Sequence, residues 1–149
     1  MSLSKELSLI WESVHSKVGL PFPQTVSRLM SLGVTRYHID YVAVTATSYV
    51  LNSSSPSISV DVAKLPAEHI PNPLAATAWN KEGLVAAIRK AQAMAKEGKG
   101  DYLAFAAECI EAGVTDYVAF LDGKRVLYLG AKGDSHTEWF PGTEPSDEK

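Results

Sequence analysis

The sequence lacks the features that define several large classes of protein. Cys109 is the only cysteine in 149 residues, which excludes a scaffold held by disulfides. No apolar run approaches the roughly 20 residues that a membrane-spanning helix needs. Basic residues are not in excess, because 14 Lys and Arg against 17 Asp and Glu give a net charge of −3. That balance argues against nucleic acid as a partner.

The two ends of the chain also carry few signals. Lys5 is followed directly by Glu6, and no apolar segment with a small-residue cleavage site follows, so a secretory signal is not expected. Together with the single thiol, this predicts a cytoplasmic protein without a membrane partner. Residues 142–149 contain no apolar side chain to anchor them, which predicts a flexible tail.

What is present is typical of one globular domain, with 46% hydrophobic and 21% charged residues. Apolar residues at helical spacing predict two helices, the first capped by Ser4 and reaching Val18, the second burying Met30. Three segments with a period of two follow and predict strands. Prolines then mark a linker over residues 66–80. Two further helices, capped by Asn80 and Asp101, precede three more strands, and Asp122-Gly123 predicts a hairpin turn between the first two of these.

A short phrase occurs twice at the same place in this order of elements. Gly33-Val34-Thr35-Arg36-Tyr37 returns as Gly113-Val114-Thr115-Asp116-Tyr117, a shift of 80 residues. We therefore predict a single α+β domain over residues 1–141, with one half at about 4–65 and the other at about 81–140. The domain is thus an internally duplicated helix-helix-strand-strand-strand unit, with one copy in each half. The strands should form a mostly antiparallel sheet with helices packed on one face.

These segments resemble a known group of proteins. The stretches Ala112–Tyr117 and Gly133–Glu138, with Tyr37 and Asp40 in the first half, are similar to the YdfO-like family of small bacterial proteins. That family is often labelled "phage envelope protein-like" because its members occur in prophages. The resemblance covers about residues 9–141. It implies an α+β fold with an internal duplication and a domain of unknown function, and it implies no established activity.

Two His-x-carboxylate pairs are the candidate ligand-binding residues. His38 and Asp40 share one face of a predicted strand, and so do His136 and Glu138, because residues two apart point the same way. Two such pairs brought together would offer imidazoles and carboxylates to a divalent metal, as in a metal-assisted hydrolase. Alternatively, both pairs are ordinary solvated side chains on the exposed faces of two strands, and they bind no metal. No other cofactor and no catalytic residue is predicted.

The remaining residues favour a non-enzymatic binding or regulatory module. Cys109 lies on an apolar helix face and is predicted to be a buried, unreactive thiol, while His15 and His69 are predicted to lie at the surface. Three tryptophans and six tyrosines supply the amphipathic side chains that line ligand clefts and partner surfaces. We expect an apolar or aromatic patch beside His38 and Asp40 that binds an unknown protein or small ligand. Exposed sheet edges also predict pairing into a homodimer.

Overall fold

The computed structural model describes residues 2–52, 54–55, 57–66, 70–73 and 77–145. Within these ranges the chain forms four helices and six strands, in the order that the sequence predicts. They are α1 (Leu3–Val14), α2 (Phe22–Ser31), β1 (Val34–Asp40), β2 (Thr45–Asn52), β3 (Ser57–Lys64), α3 (Lys81–Lys96), α4 (Tyr102–Glu111), β4 (Val114–Phe120), β5 (Arg125–Gly130) and β6 (Ser135–Trp139).

The helix ends differ from the prediction at several positions. Ser2, and not Ser4, caps α1, because its hydroxyl accepts the amide of Lys5. The helix ends at Val14, so Val18 lies beyond it and is 83% exposed. Met30 of α2 is also 46% exposed, whereas Leu29 is fully buried and Val26 packs against the core. Asn80 and Asp101 cap α3 and α4 as predicted.

The strands form one sheet in which every neighbouring pair is antiparallel. Its order is β3-β2-β1-β4-β5-β6, so the first strands of the two halves meet at the centre. The four helices of the described residues all pack on one side, against buried residues such as Tyr37, Ile39, Tyr117 and Ala119. We call this side the helix face and the opposite side the open face. This is the predicted α+β architecture.

The two halves are related by an approximate two-fold axis between β1 and β4. The amide of Tyr41 donates to the carbonyl of Thr115, and the amide of Leu121 donates to the carbonyl of Thr35, both at 3.0 Å. These four residues exchange places under a shift of 80. Each half also has a register irregularity at the same threonine, Thr35 or Thr115. The duplication expected from the sequence is thus present in the geometry.

The hairpin loops repeat as well, with a difference from the predicted turn. Four residues, 121–124, join β4 to β5, and the residue with positive φ is Lys124 at 55° rather than Gly123. The equivalent loop of the first half has Val44 at 57°. In both loops a residue with a Cβ occupies the left-handed region, which costs free energy.

Two predicted segments lie partly outside the described residues. The linker at 66–80 includes 67–69 and 74–76, and the tail at 142–149 includes 146–149, none of which the structure describes. In the described ranges, no helix has the length and hydropathy needed to cross a membrane.

Candidate functional site

A cavity of about 410 Å³ lies on the helix face of the second half, between the α3–α4 pair and the sheet. Its walls are mostly apolar and aromatic, and its inner end reaches Trp11 and Tyr37 of the first half. Phe22 and Phe140 also line it and meet edge to face, with ring centroids 5.2 Å apart. The sides are formed by Ile88 and Ala91 of α3, Tyr102 and Phe105 of α4, Tyr117 of β4 and Tyr128 of β5.

The cavity exists because small residues stand where the helices face the sheet. Ala87, Ala91 and Ala95 follow one another at helical spacing along α3 and all line the cavity. Ala104 does the same on α4. Alanines fill less space than the aromatic side chains opposite them, so the helices and strands leave an unfilled volume between them.

Three tyrosine hydroxyls form a hydrogen-bonded chain beside the cavity. The Tyr102 oxygen lies 3.1 Å from that of Tyr41 and 2.6 Å from that of Tyr117. Tyr102 and Tyr117 line the cavity, whereas Tyr41 is fully buried behind them. Three hydroxyls have three protons, and two hydrogen bonds use two of them. One hydroxyl proton of the chain therefore remains available to a further acceptor.

The tyrosines that line the cavity have pKa values raised further above neutral pH. Burial raises the pKa of Tyr37, Tyr102, Tyr117 and Tyr128, so these phenols stay protonated. They act there as neutral hydrogen-bonding groups. General bases work best with a pKa near the operating pH, and these tyrosines do not have one.

The predicted pair His136 and Glu138 lies beside this cavity. The two side chains point to the helix face and bond to each other, with His136 Nε2 and Glu138 Oε1 3.1 Å apart. Arg89 of α3 donates to the other carboxylate oxygen at 2.7 Å. Burial alone would raise the pKa of Glu138, but the hydrogen bonds and charges of Arg89 and His136 outweigh it and lower that pKa. Glu138, which lines the cavity, is therefore a paired carboxylate.

The other predicted pair does not form. His38 bonds to Asp116 of the neighbouring strand β4, with Nε2 and Oδ2 2.9 Å apart, and not to Asp40. Asp40 instead accepts the amides of Val42 and Ala43 through Oδ1 and closes the loop after β1. His38 and Asp40 thus lie on one face, as expected, but have different partners.

The structure does not bring the four candidates to one point. His38 lies opposite Val118 of β4, and both side chains point to the open face. His136 lies opposite Tyr128 of β5, and both side chains point to the helix face. The metal-assisted alternative needed the two pairs to converge, and they lie on opposite faces of the sheet instead. Among the described residues, no group of three or more His, Cys, Asp and Glu side chains is placed to hold a metal ion.

The sequence predicts that Cys109 is buried and that His15 and His69 lie at the surface, and the structure agrees only in part. Cys109 is fully buried, as predicted, and burial raises the pKa of its thiol, which disfavours the reactive thiolate. His15 is only 4% exposed, so its predicted surface position is wrong. Burial lowers its pKa although Nδ1 bonds the carbonyl of Trp11, and the ring packs edge-on against Tyr102. His69 lies outside the described residues.

The sequence reasoning missed the cavity and its tyrosines. In the sequence, Tyr37 and Tyr117 stand out as matching positions of the repeat and as part of the family resemblance, and neither is predicted to line a cavity. That match was a usable signal, because equivalent residues of two adjoining central strands lie close to the two-fold axis. Their ring centroids are 6.3 Å apart. Asp116 was also missed as the partner of His38, since the pairing depends on β1 and β4 being neighbours.

The fold and the site together define an internally duplicated α+β domain with an aromatic cavity beneath its second half. The chain belongs to the family described as "Protein of unknown function (DUF1398)", which matches residues 10–136. No curated protein matches the chain.

Proposed function

We propose that this protein is a non-enzymatic binding module that holds a small, mostly apolar ligand in the cavity. The single observation that carries the proposal is the cavity itself, whose walls are mostly apolar and aromatic and include Tyr102 and Tyr117. An apolar cavity of roughly 150 Å³ is enough to bind benzene, and small-molecule sites begin at about 300 Å³. At about 410 Å³, the cavity has room for a molecule of two or three rings.

The polar groups indicate what else the ligand needs. Tyr102 and Tyr117 belong to a hydroxyl chain with one unused proton, which a carbonyl or ether oxygen of a ligand can accept. Glu138 is already bonded to Arg89 and His136, so it has little reason to bind a ligand cation. We infer a neutral, planar ligand with one hydrogen-bond acceptor.

A binding role is favoured over catalysis by the state of these groups. The tyrosines have raised pKa values, and the lowered pKa of Glu138 belongs to a carboxylate held by two partners. Such groups neither take nor give protons readily near neutral pH. Of the four candidates from the sequence, the proposal retains Glu138 as a polar residue of the cavity wall and His136 as its hydrogen-bond partner. The proposal also includes the prophage association that the YdfO-like resemblance implies, a regulatory role for the module and a cytoplasmic location.

Binding of N-phenyl-1-naphthylamine tests the proposal, because this neutral dye becomes fluorescent in an apolar site. The full-length protein should enhance its emission with a saturable, one-to-one isotherm. Ala91→Phe places a ring inside the cavity and should weaken dye binding at least about tenfold, since the space for the dye is removed.

Ala93→Phe is the matched control. Ala93 is an exposed residue of the same helix that does not line the cavity, so this variant should bind like the unmodified protein. Equal weakening by both substitutions, or dye binding that does not saturate, would show that the dye is not in the cavity.

A further inference from the structure

The open face of the sheet is unusually apolar for a surface that meets water. Antiparallel sheets with one solvated face normally alternate apolar inward and polar outward residues. Here Ile58, Val60 and Val62 of β3 point to the open face and are about 60% exposed. Leu51 of β2 is 50% exposed beside them. The apolar side of β3 thus faces away from the helices.

The register arranges the open face into three transverse rows. Residues that face each other in neighbouring strands project from the same side, so each row crosses the sheet. The arginine row is Val60, Tyr49, Arg36, Phe120, Arg125 and Trp139. The middle row is Val62, Thr47, His38, Val118, Leu127 and Thr137. The aspartate row is Lys64, Thr45, Asp40, Asp116, Leu129 and Ser135.

The arginine row has the composition of a protein interface. Arg36 lies over the ring of Tyr49 at 4.2 Å, and Arg125 lies over the ring of Trp139 at 4.0 Å. Phe120 stands between the two arginines. Tyrosine, tryptophan and arginine are the residues that contribute most binding energy at interfaces. Stacking on the rings also holds the two guanidinium groups in place before a partner arrives.

The placement of charge fits a second copy of the same chain. A two-fold axis along the middle row turns the arginine row of one copy onto the aspartate row of the other. Arg36 then lies over Asp40 of the second copy, and Arg125 lies beside its Asp116. The alternative axis, parallel to the strands between β1 and β4, would place Asp40 over Asp116 and like charges would meet. Opposite charges therefore select the first axis.

The apolar residues agree with the same axis. Residues of the middle row meet their own copies across the axis, so Val118 packs on Val118 and Leu127 on Leu127, while His38, which is bonded to Asp116, lies opposite His38. The exposed Leu51 lies beyond the arginine row, and Val42, which is 64% exposed, follows Asp40 beyond the aspartate row. The rotation brings these two ends together, so apolar surface covers apolar surface at the margins as well.

The area is sufficient for a specific dimer. Six strands spaced about 4.8 Å apart and about 20 Å long present roughly 500 Å² in projection. Two such faces bury on the order of 1,000 Å² before the relief of the side chains is counted, which reaches the size of a specific interface. We propose that the open faces of two copies pack face to face as a homodimer, with the two-fold axis along the middle row. This inference is independent of the ligand-binding cavity.

Charge complementation at Val118 tests the arrangement, because this residue lies on the proposed axis and meets its own copy. The unmodified protein should have twice the chain mass in light scattering and sedimentation. Val118→Glu and Val118→Lys should each be monomeric, since like charges would be buried together. An equimolar mixture of the two should form dimers again. Recovery in the mixture shows that both variants are folded.

Exposed positions provide a second variant and the controls. Arg36→Glu should weaken dimerisation at least about tenfold, since Arg36 is proposed to pair with Asp40. Arg28→Glu, on the exposed side of α2, and Val18→Glu, at another exposed valine, should remain dimeric. A monomeric unmodified protein would overturn the proposal, whether or not it binds an oligonucleotide or another protein. Dimers that persist in both Val118 variants would also overturn it, because they would indicate pairing through another surface, such as the edge of β3.

Discussion

The hydroxyl oxygens of Tyr102 and Tyr117 lie 2.6 Å apart, and this contact joins a helix of the second half to the central strand β4. Tyr102 also bonds Tyr41, which follows β1, so one residue of α4 reaches both central strands of the sheet. Because Tyr41 and Tyr117 are buried, their hydroxyls depend on Tyr102 for a partner.

Tyr102→Phe should therefore destabilise the protein by about 1–3 kcal/mol, the cost of leaving buried hydroxyls unpaired. The difference in the free energy of unfolding can be measured by urea denaturation. Tyr49→Phe is the control, because the Tyr49 hydroxyl has no hydrogen-bond partner among the described residues and Phe keeps the ring on which Arg36 stacks. It should change stability by less than about 0.5 kcal/mol. If both substitutions cost the same, the hydroxyl chain does not contribute to stability.

Glu138 should make the free energy of unfolding depend on pH in the acidic range. Its pKa is lowered in the folded state, so it contributes stability that is fully present above its unfolded pKa of about 4.3. That contribution is lost as the pH falls through the lower folded value. Glu138→Gln should cost about 0.5–1 kcal/mol at pH 7, because Arg89 is 55% exposed and solvent screens the pair. The difference from the unmodified protein should shrink in acid.

Urea denaturation at a series of pH values measures this difference. Glu144→Gln, at an exposed position near the end of the described chain, is the control and should leave the pH profile unchanged. A constant difference between the Glu138 variant and the unmodified protein at every pH would contradict the assignment.

Gly113 should tolerate no side chain. Its φ is +96°, and a Cβ there would lie 3.0 Å from the carbonyl oxygen of Ala78 and from Cα of Trp79. Gly98 has φ +73° but nothing within 4 Å of its Cβ position. Gly98→Ala should thus cost about 1–2 kcal/mol for backbone conformation alone, and Gly113→Ala should cost more. Thermal and urea unfolding of the two variants compare them directly, and equal losses would refute the close approach.

Lys124 offers a stabilising substitution. With φ at 55° it occupies a region where a Cβ is unfavourable, so Lys124→Gly should raise the free energy of unfolding by up to about 1 kcal/mol. Val44 has the equivalent conformation but packs against the core, so Val44→Gly should give less stabilisation or a loss. Urea denaturation distinguishes them, and a loss of stability in the Lys124 variant would contradict the prediction.

The architecture could be predicted from the sequence because its signals are local. The period of two around Tyr37, the caps at Asn80 and Asp101, and the repeat beginning at Gly33 and Gly113 all depend on neighbouring residues. The order of helices and strands and the helix-covered sheet follow from them.

The site could not be predicted in the same way, because its contacts join distant residues. His38 meets Asp116 across 78 positions, and Arg89 meets Glu138 across 49. The alternation in β3 predicts a strand but does not say which side faces the helices. A cavity is still harder to foresee, since it is the space that Ala91 and its neighbours leave unfilled.

The reciprocal hydrogen bonds of Tyr41 and Leu121 across the centre of the sheet have a consequence for the origin of the molecule. They have the symmetry of a two-fold contact between separate, identical subunits, in which each subunit donates and accepts the same hydrogen bond. Joining two such subunits in one polypeptide makes their association independent of concentration. It also removes the requirement that both carry the same residues. Each copy is then free to specialise, and here only the second has Asp116 where the first has Arg36.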